Sequence, residues 1–73
     1  MPRLRVLSAS QVCRILKKHG FVQVRQSGSH IIMTKEGEMV TLSIPDHKEV
    51  ARGTLRSLIR AANLTVDEFV AAI

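Results

Sequence analysis

A histidine follows a glycine turn at residues 25–30, which read RQSGSH before the chain becomes apolar in IIMT. A neutral imidazole has an unperturbed pKa of about 6.5, so His30 could take or give a proton at physiological pH. Gly28 would allow the backbone to approach a bound molecule closely, and the Ser29 hydroxyl could donate a hydrogen bond to a phosphate oxygen. A histidine at the end of a strand is more often structural or solvent-exposed, so the motif alone leaves both interpretations open.

Basic residues are concentrated in the first half of the chain. Eleven Lys and Arg against six Asp and Glu give a net charge of +5 over 73 residues. Residues 1–35 hold seven basic residues and no acidic one, and all six acids lie at or after Glu36. Such an asymmetric charge favours a polyanionic partner, and nucleic acid is the commonest polyanion inside cells. A solvated surface, or complementarity to an acidic protein, is the alternative.

RNA is a substrate that a small domain could cleave without a metal ion or other cofactor. It carries its own nucleophile, the 2′-hydroxyl beside the scissile phosphate, so the protein need only position the substrate and move protons. Basic side chains could stabilise the negative charge of the transition state. DNA lacks the 2′-hydroxyl and is therefore a less suitable substrate. The two aromatic residues, Phe21 and Phe69, fit a core. Their scarcity disfavours a base-stacking platform and favours contacts to phosphate and sugar.

Other polar residues are weaker candidates. His47 follows Pro45 and Asp46, and it could assist catalysis or contact RNA, although a hydrogen bond that orders the loop explains it equally well. A metal site needs convergent ligands, and His47 with Asp46 and Glu49 is too small a set. Several basic residues could bind phosphates, with a solvated helix face as the alternative for each. These residues are Arg14, Lys17, Lys18, Arg52, Arg56 and Arg60.

The elements that must position these residues begin with an amphipathic helix. Ser8 and Gln11 have the spacing of a capping box, and Gly20 supplies a left-handed stop. The helical spacing predicts a buried stripe with basic residues on the opposite side. The stripe consists of Val12, Ile15, Leu16 and His19, where His19 packs or caps the last turn.

Three strands are predicted next, over residues 21–26, 30–34 and 39–44, with glycines at the two tight connections. In the first strand, Val22 and Val24 alternate with Gln23 and Arg25. The valines are predicted to face the core. The outer face of the sheet is then predicted to carry Gln23, Arg25, His30, Thr41 and Ser43.

Two helices complete the chain. Pro45 is predicted to end the sheet, and Thr54 is a plausible N-cap of a helix that stops at Asn63. A short last helix is predicted to start at Thr65 and to pack Phe69 and Ile73. The expected fold is α+β: one domain over residues 1–73, with an α-β-β-β-α order and a short helical tail. Two helices cover one face of a three-stranded antiparallel sheet, as in double-stranded-RNA-binding domains.

The composition also bounds the setting of the protein. Cys13 is the single cysteine, which excludes a disulfide framework and a cysteine-based metal site. The N-terminal residues lack the apolar segment of a signal peptide, and no stretch approaches eighteen apolar residues. A cytoplasmic protein without a membrane segment is therefore expected.

Three signatures together resemble the HicA (YcfA-like) family of mRNA interferase toxins. They are GF at residues 20–21, GSH at 28–30, and P-x-H at 45–47 followed by GTLRSLIRAANLTVDEF. The likeness extends from about Ser8 to Phe69. It implies a double-stranded-RNA-binding-like fold, endoribonuclease activity on mRNA that inhibits translation, and a HicB antitoxin whose binding masks the nuclease.

The resemblance maps the family's catalytic histidine onto His30 and its matching glycine onto Gly28. The predicted reaction is attack by the 2′-hydroxyl, which leaves a cyclic phosphate and a free 5′-hydroxyl, and the alternative is a non-catalytic RNA-binding module. The loop over residues 46–49 departs from the family pattern because Asp46 and Glu49 would repel RNA. This loop is expected to bind the antitoxin or to face away from the RNA. The predicted substrate-binding residues are Gly28, Ser29, Arg25, Lys17, Lys18, Arg56 and Arg60, with His47 as an accessory.

Overall fold

A computed structural model describes residues 6–73 of the chain. Residues 1–5, which contribute two arginines to the basic half, lie outside the described residues. The elements are α1 (Ala9–Lys18), β1 (Phe21–Ser27), β2 (His30–Lys35), β3 (Thr41–Pro45), α2 (Arg52–Ala61) and α3 (Val66–Ala71). The predicted α-β-β-β-α order with a short C-terminal helix is confirmed.

The first helix begins where its capping signal predicts. The Ser8 N–H donates to Oε1 of Gln11 at 2.9 Å, and the Gln11 N–H donates to the Ser8 hydroxyl at 3.2 Å. His19 is the C-cap and is half-buried, and its Nε2 has no hydrogen-bond partner among the described residues. Gly20 follows with a φ of +93°, a left-handed conformation that suits glycine. A backbone capping role of His19 is therefore confirmed.

The strands form one antiparallel sheet with β2 in the centre. Ile31 lies opposite Ile44, and Met33 lies opposite Leu42; all four are buried. α1 packs against β1 and β3, α2 packs against β3, and α3 packs against α2. The sheet therefore has a covered face, on which the helices lie, and a second face on which none of the helices within residues 6–73 packs, called the bare face below. The third strand starts at Thr41, two residues later than predicted.

The first strand departs from its predicted orientation. Val22 and Val24 are 52% and 53% exposed, whereas Phe21 is buried on the covered face. The prediction that the two valines face the core is wrong, and so is the outward assignment of Gln23, which has the parity of Phe21. The alternation of valines with polar residues does not reveal this orientation, because the buried Phe21 determines which residues of the strand face the helices.

A β-bulge restores the predicted position of Arg25. The pairing of β1 with β2 shifts between Gln23 and Arg25, so that Gln23 opposes Met33 while Arg25 opposes Ile32. The extra residue is Val24. Because a bulge changes the alternation by one residue, Arg25 shares the bare face with Ile32 instead of the covered face.

The second helix starts earlier than predicted. Arg52 is its first residue, its N-cap is Ala51, and no side chain caps it, so the assignment of Thr54 as N-cap is wrong. The Leu55 N–H already donates to the Ala51 carbonyl at 2.8 Å. The helix ends near Asn63, whose φ of +61° confirms the predicted stop.

The last helix is capped as predicted. The Thr65 N–H donates to Oε1 of Glu68 at 2.9 Å, and the Glu68 N–H donates to the Thr65 hydroxyl at 3.1 Å. Phe69 is fully buried, whereas Ile73 is 49% exposed, so the predicted packing of Ile73 is wrong. Lys18 joins α1 to this helix, because its ammonium donates to the carbonyl of Ala72 at 3.0 Å.

The helices and the covered face enclose a single hydrophobic cluster that contains no buried charged residue among residues 6–73. Its largest fully buried side chains include both phenylalanines. None of the helices within residues 6–73 is long and apolar enough to cross a membrane.

Candidate active site

His30 stands at one end of the bare face. It is the first residue of β2, and it is exposed. It lies between Ser27 of β1 and Pro45 of β3, its partners in the two ladders. The imidazole therefore has access to solvent and to a ligand on the bare face, as proton transfer to a bound molecule requires.

The turn before His30 is short and open. Gly28 and Ser29 alone connect the paired residues Ser27 and His30. Gly28 has a φ of +58°, and Ser29 does not have a positive φ, the pattern of a type II′ turn. A Cβ built at Gly28 would meet no heavy atom within 4 Å. Open space beside this backbone leaves room for a ligand next to the histidine.

The turn is tied to the loop that follows β3. The Asp46 N–H donates to the Ser29 carbonyl at 2.7 Å. The side-chain amide of Gln26 donates to Oδ2 of Asp46 at 3.2 Å and lies 3.5 Å from the Gly28 carbonyl. The sequence reading did not identify Gln26, and it assigned the Asp46 loop to the antitoxin or to solvent. Because the two residues are 20 positions apart, no local pattern indicates their contact.

His47 orders the same loop through its backbone. Its N–H donates to the Pro45 carbonyl at 2.9 Å, and its carbonyl accepts a hydrogen bond from the Ala9 N–H at 3.0 Å. The side chain is exposed and lines a shallow depression with Ser8 and Lys48. The loop is thereby fixed to the start of α1, and the imidazole of His47 is left at the surface.

Arg25 shares the bare face with His30. Arg25 opposes Ile32, which is two residues along β2 from His30. Such diagonal neighbours on antiparallel strands are separated by about 7–8 Å, within reach of a long side chain. Arg25 is exposed. A guanidinium and an imidazole can therefore approach the same bound group from one face.

Lys17 lies in a groove between α1 and the edge strand β1. This groove has a volume of about 300 Å³ and contains no acidic residue. Arg14, Gln23 and Ile31 line it with Lys17. Two cations and an amide in one groove suit an extended anion such as a phosphodiester chain.

Cys13, at the base of that groove, is a buried free thiol. Burial raises the pKa of Cys13 above its ordinary value, and the nearby ammonium of Lys17 only partly opposes this shift. A thiol that is kept protonated is a poor nucleophile. Cys13 therefore serves packing, as predicted from its place at the edge of the helix stripe.

The structure does not bring the other predicted basic residues to His30. Arg56 and Arg60 line a groove of about 340 Å³ between α2 and α3, in the helix layer. Lys18 is the last residue of α1, and its ammonium binds the Ala72 carbonyl. The chain enters β1 just after Lys18, at the end of the sheet opposite to His30. Within residues 6–73, no group of three or more His, Cys, Asp or Glu side chains could hold a metal ion.

A comparison with protein families adds an independent observation. A family model described as the HicA toxin of bacterial toxin–antitoxin systems matches residues 9–64 of the 73-residue chain. This match runs from the start of α1 to just beyond α2, so it contains the GSH turn and the P-x-H loop. No curated protein sequence matches the chain.

Proposed function

Because the chain belongs to the HicA toxin family of bacterial toxin–antitoxin systems, we propose that it is an endoribonuclease that cleaves mRNA and thereby inhibits translation. Membership of this family implies an antitoxin partner. We propose that this partner is of the HicB type and that it masks the nuclease. Since mRNA is translated in the cytoplasm, the toxin would act there.

The observation that carries the proposal is the combination of an exposed imidazole with a bare sheet face that holds no carboxylate. None of the residues in the three strands is acidic, and Arg25 lies on the same face as His30. A phosphodiester chain could therefore lie across the sheet without meeting a negative charge from the strands. Because His30 is exposed on this face, its imidazole could reach a ribose of the bound RNA.

The proposed mechanism uses the 2′-hydroxyl of the substrate as the nucleophile. The 2′-oxygen would attack the adjacent phosphorus while His30 takes the proton from this hydroxyl and water protonates the departing 5′-oxygen, or while His30 protonates the 5′-oxygen and water takes the 2′-proton. The bond from phosphorus to the 5′-oxygen breaks, leaving a 2′,3′-cyclic phosphate and a 5′-hydroxyl. Arg25 would stabilise the charge that develops on the phosphoryl oxygens, and no metal ion is needed for these steps.

Residues around the histidine would hold the RNA. The open turn at Gly28 and Ser29 allows close approach of the backbone, and the Ser29 hydroxyl can donate to a phosphate oxygen. Lys17, together with Arg14 in the groove beside β1, would contact phosphates further along the strand. Lys18, Arg56 and Arg60 belong to the helix layer, and we do not assign them to the cleavage site.

Replacement of His30 tests the proposal directly. His30→Gln keeps a polar side chain of similar size but removes proton transfer, so the cleavage rate should fall by about 10²–10⁴-fold. Met39→Gln provides the control, because Met39 is fully exposed in the loop at the other end of the sheet. Cleavage of a defined RNA and the chemical identity of the fragment ends are measured for both variants. Full activity of His30→Gln, or fragments with a 5′-phosphate, would contradict the mechanism.

A non-catalytic RNA-binding module is the second candidate, since the same bare face, with Arg25 and no acidic strand residue, could bind RNA without cleaving it. The parent protein would then bind RNA with an affinity that falls as salt rises, and it would leave the RNA intact. His30→Gln would bind as tightly as the parent. Absence of RNA binding even at low salt would instead favour a domain that uses its basic residues to bind an acidic protein.

A further inference from the structure

We propose that Gln26 and Asp46 are positioning residues, which hold the turn that carries His30 in the orientation needed for cleavage. This inference rests on the proposed function. It assigns a role to the acidic loop, which neither RNA binding nor the family resemblance explains. Neither residue needs to contact the reacting atoms, because both act through the backbone on either side of Ser29.

A two-residue turn at the end of a small sheet has little else to hold it. The turn residues are exposed, and nothing packs within 4 Å of a Cβ built at Gly28. His30 belongs to the last residue pair of both ladders, where strand pairing is weakest. The orientation of its side chain therefore depends on hydrogen bonds beyond the end of the sheet.

The ladder itself provides one of these bonds. His30 and Pro45 form a non-hydrogen-bonded pair, in which the nitrogen of residue 45 points away from β2, so a proline fits there without loss of a ladder bond. The Asp46 N–H donates to the Ser29 carbonyl at 2.7 Å, the bond that flanks such a pair, and so continues the pairing into the turn. This bond fixes the peptide directly before His30.

The side chain of the same aspartate holds the other half of the turn. Its Oδ2 accepts a hydrogen bond from the Gln26 amide at 3.2 Å, and this amide lies 3.5 Å from the Gly28 carbonyl. Gln26 is the penultimate residue of β1, so the bond joins this strand to the loop across the hairpin end. The loop is itself anchored, because the His47 carbonyl accepts the Ala9 N–H at 3.0 Å. Together these contacts connect the turn to α1.

An exchange of donor and acceptor tests the contact. Gln26→Glu places a carboxylate against the carboxylate of Asp46, so the hydrogen bond is replaced by repulsion. Asp46→Asn in the same chain restores a bond of reversed direction, because the asparagine amide can donate to the new glutamate. We expect kcat for RNA cleavage to fall about tenfold in Gln26→Glu with KM changed less than about threefold, and to recover in the double variant.

Two controls separate positioning from other effects. Met39→Glu adds the same charge in the loop at the far end of the sheet, and its kcat should equal that of the parent. Hydrogen exchange of the Asp46 amide reports the contact without reference to activity: it should accelerate in Gln26→Glu and return to the parent rate in the double variant.

Each outcome decides the proposal. An unchanged kcat in Gln26→Glu, or a kcat that does not recover in the double variant, would overturn the positioning role. Exchange that recovers without kcat would show a structural contact only, which also overturns it. If the parent itself cleaves no RNA while exchange still responds to both substitutions, the contact exists and the proposed nuclease function is what fails, together with the catalytic purpose of the contact.

Discussion

The two faces of the sheet are built from the same three short strands and yet have opposite roles. On the covered face, Ile31, Met33, Leu42 and Ile44 are buried beneath the helices. On the bare face, Ile32 is only half-buried, and the polar residues beside it are exposed. A chain of this size has enough apolar surface for one core, so it covers one face and leaves the other available for a ligand.

This division teaches that stability and function alternate along a single strand. In β2, Ile31 and Met33 bury apolar surface on the covered face, whereas the alternate residues His30 and Ile32 lie on the bare face. Adjacent substitutions should therefore affect different properties. A substitution on the covered face should lower the free energy of unfolding, whereas one on the bare face should change RNA cleavage with little effect on stability.

The largest effect is expected from Met33, which is fully buried at the centre of the sheet. Met33→Ala should lower the free energy of unfolding by about 2–5 kcal/mol, because it removes buried apolar contacts and leaves a cavity. The neighbouring substitution Ile32→Ala should cost less than half of that, since Ile32 is half-buried on the bare face. Urea denaturation measures both values. Equal losses would mean that the bare face is packed against another part of the protein.

A smaller effect distinguishes the glycines of the two hairpin connections. Gly28 and Gly37 both have a positive φ and open space around a built Cβ, so alanine at either position meets the same backbone cost of about 1–2 kcal/mol. Thermal unfolding should show similar losses for Gly28→Ala and Gly37→Ala. RNA cleavage should fall further in Gly28→Ala than in Gly37→Ala, because Gly28 adjoins His30. An equal loss of cleavage would indicate that both ends of the sheet contact the RNA.

The smallest effect concerns the cap of α3, in the helix layer. Hydrogen bonds from the backbone N–H and the hydroxyl of Thr65 lower the pKa of Glu68 below its ordinary value. The charged form is thus favoured in the folded state, and its stabilisation is present above the unfolded-state pKa and is lost as pH falls through the folded-state pKa. Glu68→Gln keeps an acceptor for the cap but does not titrate.

Melting temperatures at neutral and acidic pH check this prediction. Between these conditions, the parent should lose slightly more stability than Glu68→Gln does, although other acids titrate in both proteins. RNA cleavage at neutral pH should be the same, because Glu68 lies on the helix side of the molecule. A steeper acid loss in Glu68→Gln would contradict the direction of the shift.

Local signals in the sequence predicted the helix caps well. Ser8 with Gln11 and Thr65 with Glu68 are each three residues apart, so all the partners in a capping box can be recognised from adjacent sequence. The start of α2 was not predicted, because Ala51 caps it without a side-chain hydrogen bond. A helix that begins without a side-chain cap leaves no such signal.

Non-local contacts limited the rest of the prediction. The alternation of Val22 and Val24 resembles a core face, but their exposure follows from the pairing of β1 with β2 and from the bulge between Gln23 and Arg25. The position of His30 on the bare face was predicted from β2 alone, since Ile31 and Met33 fix its parity. The contact between Gln26 and Asp46 joins residues that only folding brings together.

The bulge at Val24 also affects how one molecule meets another. β1 is an edge strand, and its two exposed valines would otherwise form a flat, β-prone border to which a second chain could add a strand. An extra residue twists that border and interrupts its regular row of donors and acceptors, while Arg25 adds a charge that disfavours self-association. The same irregularity that turns Arg25 outward thus makes this edge a poor template for strand addition by a second chain.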